Sequence, residues 1–267
     1  MFDLFLSRNI GLISKKDQEK LTKARVLICG VGGMGGVCAE ALIRMGVYSF
    51  KLIDHDIYEE INLNRQIHSN KKTIGKYKVD VLKKEFLKIN PKASIKVYKD
   101  RVLENNVEDI LKDVDIVVNG MDEMKSSLIL ERTARKKGIT IVDAWITPFA
   151  SVFVMDKKSP HWEEFLKLPS LGVEPKDFTD ELMEKCLKIE IDYTFSHFDP
   201  YSHISKKMVK DIISKKVKRP SFLPVVWMSG ILMANEVYKV VTGQKHSGFE
   251  GIFYNQYTHK IIKGKIK

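Results

Sequence analysis

The run Arg25-Val26-Leu27-Ile28-Cys29 passes directly into Gly30-Val31-Gly32-Gly33-Met34-Gly35, and no other stretch restricts the possible folds so sharply. Glycines at 30, 32 and 35 fit G-x-G-x-x-G, a loop that follows a buried strand and opens a helix. Residues 33–45 read as that helix, with Ala39, Leu42 and Ile43 inward and Gly46 as the stop. A helix that starts in such a loop offers free backbone N–H groups and the positive end of a dipole to an anion. Asp54 follows one strand–helix–strand step later, where an acid can hold ribose hydroxyls. The pattern indicates a bound nucleotide. The bland alternative is a glycine turn that merely lets helix and strand pack closely.

The rest of the first half repeats the unit. Ser14-Lys15-Lys16-Asp17 resembles a capping box and starts a short helix to Leu21. Strands are expected at 50–53, 94–98, 115–118 and 139–142, with helices at 76–89, 107–111 and 125–137. Alternation of this kind gives an α/β fold with a mostly parallel sheet and helices on both faces. Gly30, Asp54 and Asp122 each fall just after an expected strand, so they share the edge where phosphate ligands bind. After Val154 the pattern changes. Residues 156–204 read as an irregular excursion, punctuated by Pro160, Pro169, Pro175 and Pro200, with one helix near 180–187. A long helix over 223–241 carries Val226, Gly230, Met233, Val237 and Val240 on one face and stops at Gly243. A hairpin over 248–262, turning near Asn255-Gln256, closes the chain. We divide it into residues 1–155, a nucleotide-binding core with an N-terminal helix, and 156–267, a crossover segment, long helix and hairpin packed on that core as one continuous domain.

The 267 residues suffice for a sizeable core, and no run of 18 apolar residues occurs, so no transmembrane span is expected. The start, Met1-Phe2-Asp3-Leu4-Phe5-Leu6, is short and lacks a basic region, which argues against a signal peptide. Cys29, Cys38 and Cys186 form no C-x-x-C pair and suit a reducing cytoplasm. The net charge of +11 comes from lysines spread over the whole chain among acidic residues. It permits RNA binding without arguing for it.

A dinucleotide-binding oxidoreductase shares the glycine loop. What tilts against it is Asn62-Leu63-Asn64-Arg65-Gln66 followed by Gly75-Lys76-Tyr77-Lys78. Attack of a carboxylate on the α-phosphorus of ATP builds negative charge on departing pyrophosphate, and fixed cations with a metal stabilise it directly. Arg65 can fork onto two phosphate oxygens, Lys78 supplies a compact charge, and Asp122 can hold Mg²⁺. Asp122 also reads as a helix N-cap, and Asp56 as a turn or cap residue. His55 and His68 have no evident partner.

Taken together, Arg25 to Gly35, Asp54-His55-Asp56, Asn62 to Gln66, Gly75 to Lys78 and Met121-Asp122 resemble the adenylyltransferase core shared by ubiquitin-activating enzymes and their bacterial relatives ThiF, MoeB and HesA. The resemblance covers roughly residues 7–150, and more loosely Pro224 to Val237. It implies a Rossmann-like fold in which Gly30, Gly32, Gly33 and Gly35 lie along the nucleotide and Asp54 binds its ribose. Asn62, Arg65 and Gln66 would contact the phosphates, Lys78 stabilise the transition state and Asp122 bind magnesium. Arg8 matches an arginine that relatives insert into the neighbouring subunit's site, which implies a homodimer; a surface arginine is the bland reading. Many relatives carry two zinc-binding C-x-x-C pairs. This chain has none, so no zinc is expected. Ubiquitin-type activators add a thioester cysteine, for which Cys186 is the one candidate. Glu123 and Ser127 stand where the family often has Asn and Arg.

The leading reading is an ATP- and Mg²⁺-dependent adenylyltransferase acting on a carboxylate, the C-terminus of a small protein or peptide. The alternative is the relative that dehydrates threonylcarbamoyladenosine in tRNA, with which Lys88-Ile89-Asn90-Pro91 and the missing zinc cysteines are compatible. A non-catalytic nucleotide-binding scaffold is a reading of another class.

Overall fold

Alternate residues of the first strand face opposite layers: Val26 and Ile28 enter one core cluster, and Leu27 and Cys29 the other. Both faces of the sheet are therefore covered, as a parallel strand requires. The computed structural model describes residues 3–145, 148–197, 199–214 and 216–264. Met1 and Phe2, part of the apolar start, lie outside the described residues.

The elements run α1 (Lys15–Lys23), β1 (Arg25–Cys29), α2 (Gly33–Met45), β2 (Ser49–Ile53), α3 (Lys78–Ile89), β3 (Ser94–Tyr98), α4 (Val107–Ile110), β4 (Ile116–Asn119), α5 (Met124–Lys136), β5 (Thr140–Asp143) and β6 (Ala150–Met155). They continue as α6 (Trp162–Leu166), α7 (Asp180–Phe195), α8 (Lys206–Ile213), α9 (Leu223–Thr242), β7 (Ile252–Asn255) and β8 (Lys260–Lys263). A 3-10 turn over Leu4–Asn9 precedes them. All strands join one eight-stranded sheet in the order β3-β2-β1-β4-β5-β6-β7-β8. β1 to β5 pair in parallel, and β5 to β8 antiparallel. This is the expected Rossmann-like sheet with an antiparallel C-terminal extension.

The Ser14 side chain accepts from the Asp17 N–H at 3.0 Å, as the capping pattern predicts. Gly46 ends α2 at φ +95, its N–H reaching Ile43 and Leu42 carbonyls. α9 crosses α2 closely: a Cβ on Gly230 would lie 2.7 Å from the Met34 carbonyl oxygen.

Three departures from the expectations matter. The excursion after Val154 holds more helix than expected: α6 and a 3-10 turn over Pro175–Asp177 precede α7, which is 16 residues long where the sequence suggests about half of that. β6 was not expected as a strand, because six consecutive buried residues carry no alternation to read. The N-cap of α5 is Glu123, without a side-chain cap bond, so Asp122 does not cap that helix.

Candidate active site

The sheet's switch point lies between β1 and β4, where successive connections wind to opposite sides. The loops leaving those two strands touch. Gly30 sits at φ +77, and a Cβ there would lie 2.8 Å from Gly120 backbone atoms. A Cβ on Gly35 would lie 1.9 Å from the Gly30 carbonyl oxygen, and one on Gly33 would lie 2.5 Å from Val226 Cγ1 on α9. Close packing thus accounts for Gly30, Gly33 and Gly35. Gly32 is different, since a Cβ would meet only Gln66 Nε2, at 3.6 Å. The loop keeps its one open flank there, beside the start of α2.

Asp54, at the end of β2, is 7 % exposed and holds this loop in place. Its Oδ2 accepts from Val31 N at 2.9 Å and its Oδ1 from Asp56 N at 2.9 Å. Burial raises its carboxyl above the usual range against the opposing pull of Lys78. Lys78 opens α3 and is 5 % exposed; its Nζ donates to Asp56 Oδ2 at 2.6 Å. Burial pushes Asp56 upward, but the Lys78 hydrogen bond and charge, with His55 and Arg101, outweigh it and hold the carboxyl low. Asp56 is therefore the partner that holds the Lys78 ammonium at the rim, a role the sequence reading did not give it.

Arg65 rests its stem over the glycine loop, its Cγ 3.7 Å from the Gly33 Cβ position. Nη1 donates to Ile61 O and Asn64 Oδ1, both at 2.8 Å; Nε and Nη2 have no partner among the described residues. Its backbone carbonyl accepts from Trp227 Nε1 on α9 at 2.8 Å, which fixes the segment. Burial lowers the guanidinium's pKa, and the Asp122 charge opposes that shift. Asp122 is exposed and accepts no hydrogen bond among the described residues. Asn62 is 5 % exposed and spends its amide oxygen on Glu59 N at 2.9 Å. Gln66, 7 % exposed, leaves Oε1 without a partner.

Arg8 lies away from this rim. Its turn packs Leu6 against the C-terminal end of α2, within 2.9 Å of the Gly46 Cβ position, whereas the glycine loop meets the other end of that helix. A 13-residue helix, about 20 Å long, separates the two. Arg8 does not serve the site of its own chain.

His55 Nε2 lies 3.1 Å from Asp56 Oδ1 and His68 Nε2 3.0 Å from Glu40 Oε2, so both histidines have the partners that the sequence did not reveal. Cys186 is 0 % exposed and burial raises its thiol pKa, the opposite of what an activated nucleophile needs. Ligand atoms of Asp54, His55 and Asp56 come within 4.8 Å of one another, but Lys78 and backbone N–H groups already occupy their oxygens. Arg101, three residues past β3, reaches the same rim and donates to Glu123 Oε1 at 2.8 Å. A basic residue just after a parallel strand was the available signal for it.

A cavity of about 990 Å³ opens at Asp56, Arg101 and Asp122 and runs inward between the sheet and helices α7 and α8. Glu131, Asp143 and Glu190 line it. Burial pushes their carboxyls up to about 8, 7 and 8. Folded values above unfolded ones mean the folded chain holds extra protons at neutral pH. Stability from these groups is full below the ordinary carboxylate range and is lost as pH rises through 7 to 8. Between pH 5 and 8.5 the melting temperature of the parent is expected to fall by about 3 °C or more relative to a Glu131→Gln/Glu190→Gln variant, read by scanning fluorimetry. Parallel curves would show that these carboxyls titrate normally.

Residues 6–264 match the ThiF family. The tRNA threonylcarbamoyladenosine dehydratase of Bacillus subtilis is 28% identical over 242 residues, covering 86% of this chain and 92% of that protein. The adenylyltransferase and sulfurtransferase uba4 of Aspergillus clavatus is 35% identical over 127 residues, covering 48% of this chain but only 26% of its own length. The crystal structure of E. coli MccB with ATP superposes with a TM-score of 0.70 at 21% identity, over 94% of this chain and 66% of that one, a likeness of fold. Among the described residues no helix is long and apolar enough to cross a membrane. Because the family match spans nearly the whole chain, the chain belongs to the ThiF family and is an enzyme of the adenylyltransferase class.

Proposed function

We propose that this enzyme adenylates a carboxylate with ATP, the C-terminus of a peptide or small protein, and releases pyrophosphate. The triphosphate lies over the open flank at Gly32, with the ribose against the remaining acceptor capacity of Asp54. Arg65 turns its unpartnered Nε and Nη2 to the phosphates, and Lys78 meets the leaving group. Asp122 would hold Mg²⁺: a free, exposed carboxylate beside a phosphate cation is the donor that ion takes. Bound there, the ion would neutralise charge on the phosphate oxygens. Asn62 shapes the turn that presents Arg65, and Gln66 Oε1 is the buried acceptor left for the nucleotide. The acceptor carboxylate arrives through the cavity, with α7, α8 and the start of α9 as the acceptor lobe.

The observation that carries this reading is Arg65, with two free donor nitrogens, electrostatically coupled to the free carboxylate of Asp122 at the mouth of the glycine loop. Exchange of labelled pyrophosphate into ATP, dependent on an added peptide or carboxylate, is the expected result. The second reading, dehydration of threonylcarbamoyladenosine in tRNA, rests on the B. subtilis relative that this chain matches nearly end to end. It predicts nucleotide turnover driven by tRNA and not by peptides. Turnover with neither acceptor would defeat both.

A homodimer with composite sites is part of the proposal, because Arg8 is remote from its own rim. Arg8→Ala and Arg65→Ala chains, each weak alone, are expected to recover about a quarter of parental activity when unfolded together and refolded as a mixture, since half of the dimers then hold one intact site. No recovery on mixing would remove Arg8 from the mechanism. The absence of a C-x-x-C pair and the three buried cysteines suit a reducing cytoplasm.

A further inference from the structure

The inner wall of the cavity is acidic, and none of its carboxyls has a role in the phosphate chemistry proposed at the rim. Glu131 on α5, Asp143 at the end of β5 and Glu190 on α7 converge there. Trp162 ties two of them together: its backbone N–H donates to Glu131 Oε1 at 2.8 Å and its indole N–H to Glu190 Oε1 at 2.7 Å. Asp143 Oδ2 accepts from Asn119 Nδ2 at 2.9 Å, and Asn119 ends the strand that leads to Asp122. The acidic wall therefore lies directly inward from the rim.

No lysine, arginine or histidine forms an ion pair with any of the three among the described residues. Arg135 and Arg219 act on them only at longer range. Arg135 is committed to the carbonyls of Asp156 and Ser159. Glu131 is 7 % exposed, and its Oε2 accepts no hydrogen bond among the described residues; Glu190 Oε2 is equally unpartnered. Trp145 and Trp162, edge to face with centroids 4.5 Å apart, line the cavity beside them. In a packed core, three clustered carboxyls would be costly to bury even when protonated, with nothing gained. Here they face space large enough for a ligand, with one unpartnered oxygen each on Glu131 and Glu190 beside aromatic surface; a cation seated against them favours the ionised carboxylate, so its binding displaces the protons that the empty wall holds.

The geometry points to a cation-selective acceptor pocket: the carboxylate substrate carries an ammonium or guanidinium group, which seats against Glu131, Asp143 and Glu190 while its carboxylate lies at the Asp122 rim. That a carboxylate is activated there rests on the proposed function; that the wall binds a cation does not.

The test separates the two. Calorimetric titration of the full chain with Nα-acetyl-lysine amide and Nα-acetyl-norleucine amide, neither of which can be adenylated, reads the pocket alone. The lysine amide is expected to bind at least tenfold more tightly. Glu190→Gln and the Glu131→Gln/Glu190→Gln variant should bring the ratio below about threefold, with norleucine binding retained as the sign of an intact cavity. Pyrophosphate exchange with peptides that differ by lysine or norleucine near the carboxyl terminus reads the reaction. Lysine-selective binding without exchange would support the pocket and remove the adenylation reading. Equal binding of the two amides, whatever the exchange result, would overturn the pocket.

Discussion

Arg65→Ala is expected to lower ATP–pyrophosphate exchange by about 100- to 1,000-fold, the range for removing one preorganised charge donor from a transition state. Its melting temperature should move by less than about 2 °C, because partly exposed polar contacts are worth little. The asymmetry follows from how the residue is held. Trp227 fixes the Arg65 backbone carbonyl, and alanine keeps that bond. The two side-chain bonds that are lost, to Ile61 O and Asn64 Oδ1, lie on the exposed side of the turn. Arg65→Lys should rescue only part of the loss, since an ammonium cannot fork onto two phosphate oxygens. Activity equal to the parent in the alanine variant would show that the guanidinium does not act on the phosphates.

Gly35→Ala is the opposite case, a large effect on folding. The new methyl group would lie 1.9 Å from the Gly30 carbonyl oxygen, a backbone atom in a loop already pressed against Gly120. Neither side can yield without moving α2 off β1. A cost of about 3 kcal/mol or more is expected, above the usual overpacking range. For a chain of this size that lowers the melting temperature by roughly 6 °C or more. Gly32→Ala is the control, because its Cβ meets only a side-chain nitrogen at 3.6 Å. It should fold normally and weaken ATP binding instead. Equal stability of the two variants would contradict the assignment of Gly35 to backbone packing.

The comparison of Gly35 with Gly32 also shows what the sequence could and could not reveal. The spacing of the loop located both glycines, but only the packing distances separate a structural position from an open one. The parallel sheet was legible because its strands are short apolar runs set off by Gly, Asp and helical periodicity. β6 was not, since six buried residues in a row lack a period, and α7 was cut short because its polar and apolar residues alternate weakly around a helix buried in part. Arg65, Lys78 and Asp122 were readable from motif order, and the structure brings them to one edge. Asp56 as the Lys78 partner and Trp227 as the Arg65 anchor were hidden, because each acts across elements distant in the chain. The trio Glu131, Asp143 and Glu190 was invisible for the same reason: nothing in the sequence between 131 and 190 marks these carboxyls as neighbours.

A crystal structure of the chain with Mg²⁺ and the α,β-methylene analogue of ATP bears on the central claim most directly. The Arg65 guanidinium and the Lys78 ammonium should lie within hydrogen-bond distance of the triphosphate, with Asp122 on the metal and the α-phosphorus open toward the cavity. A triphosphate bound with both cations turned away from it, or with its α-phosphorus sealed from the cavity, would contradict the account.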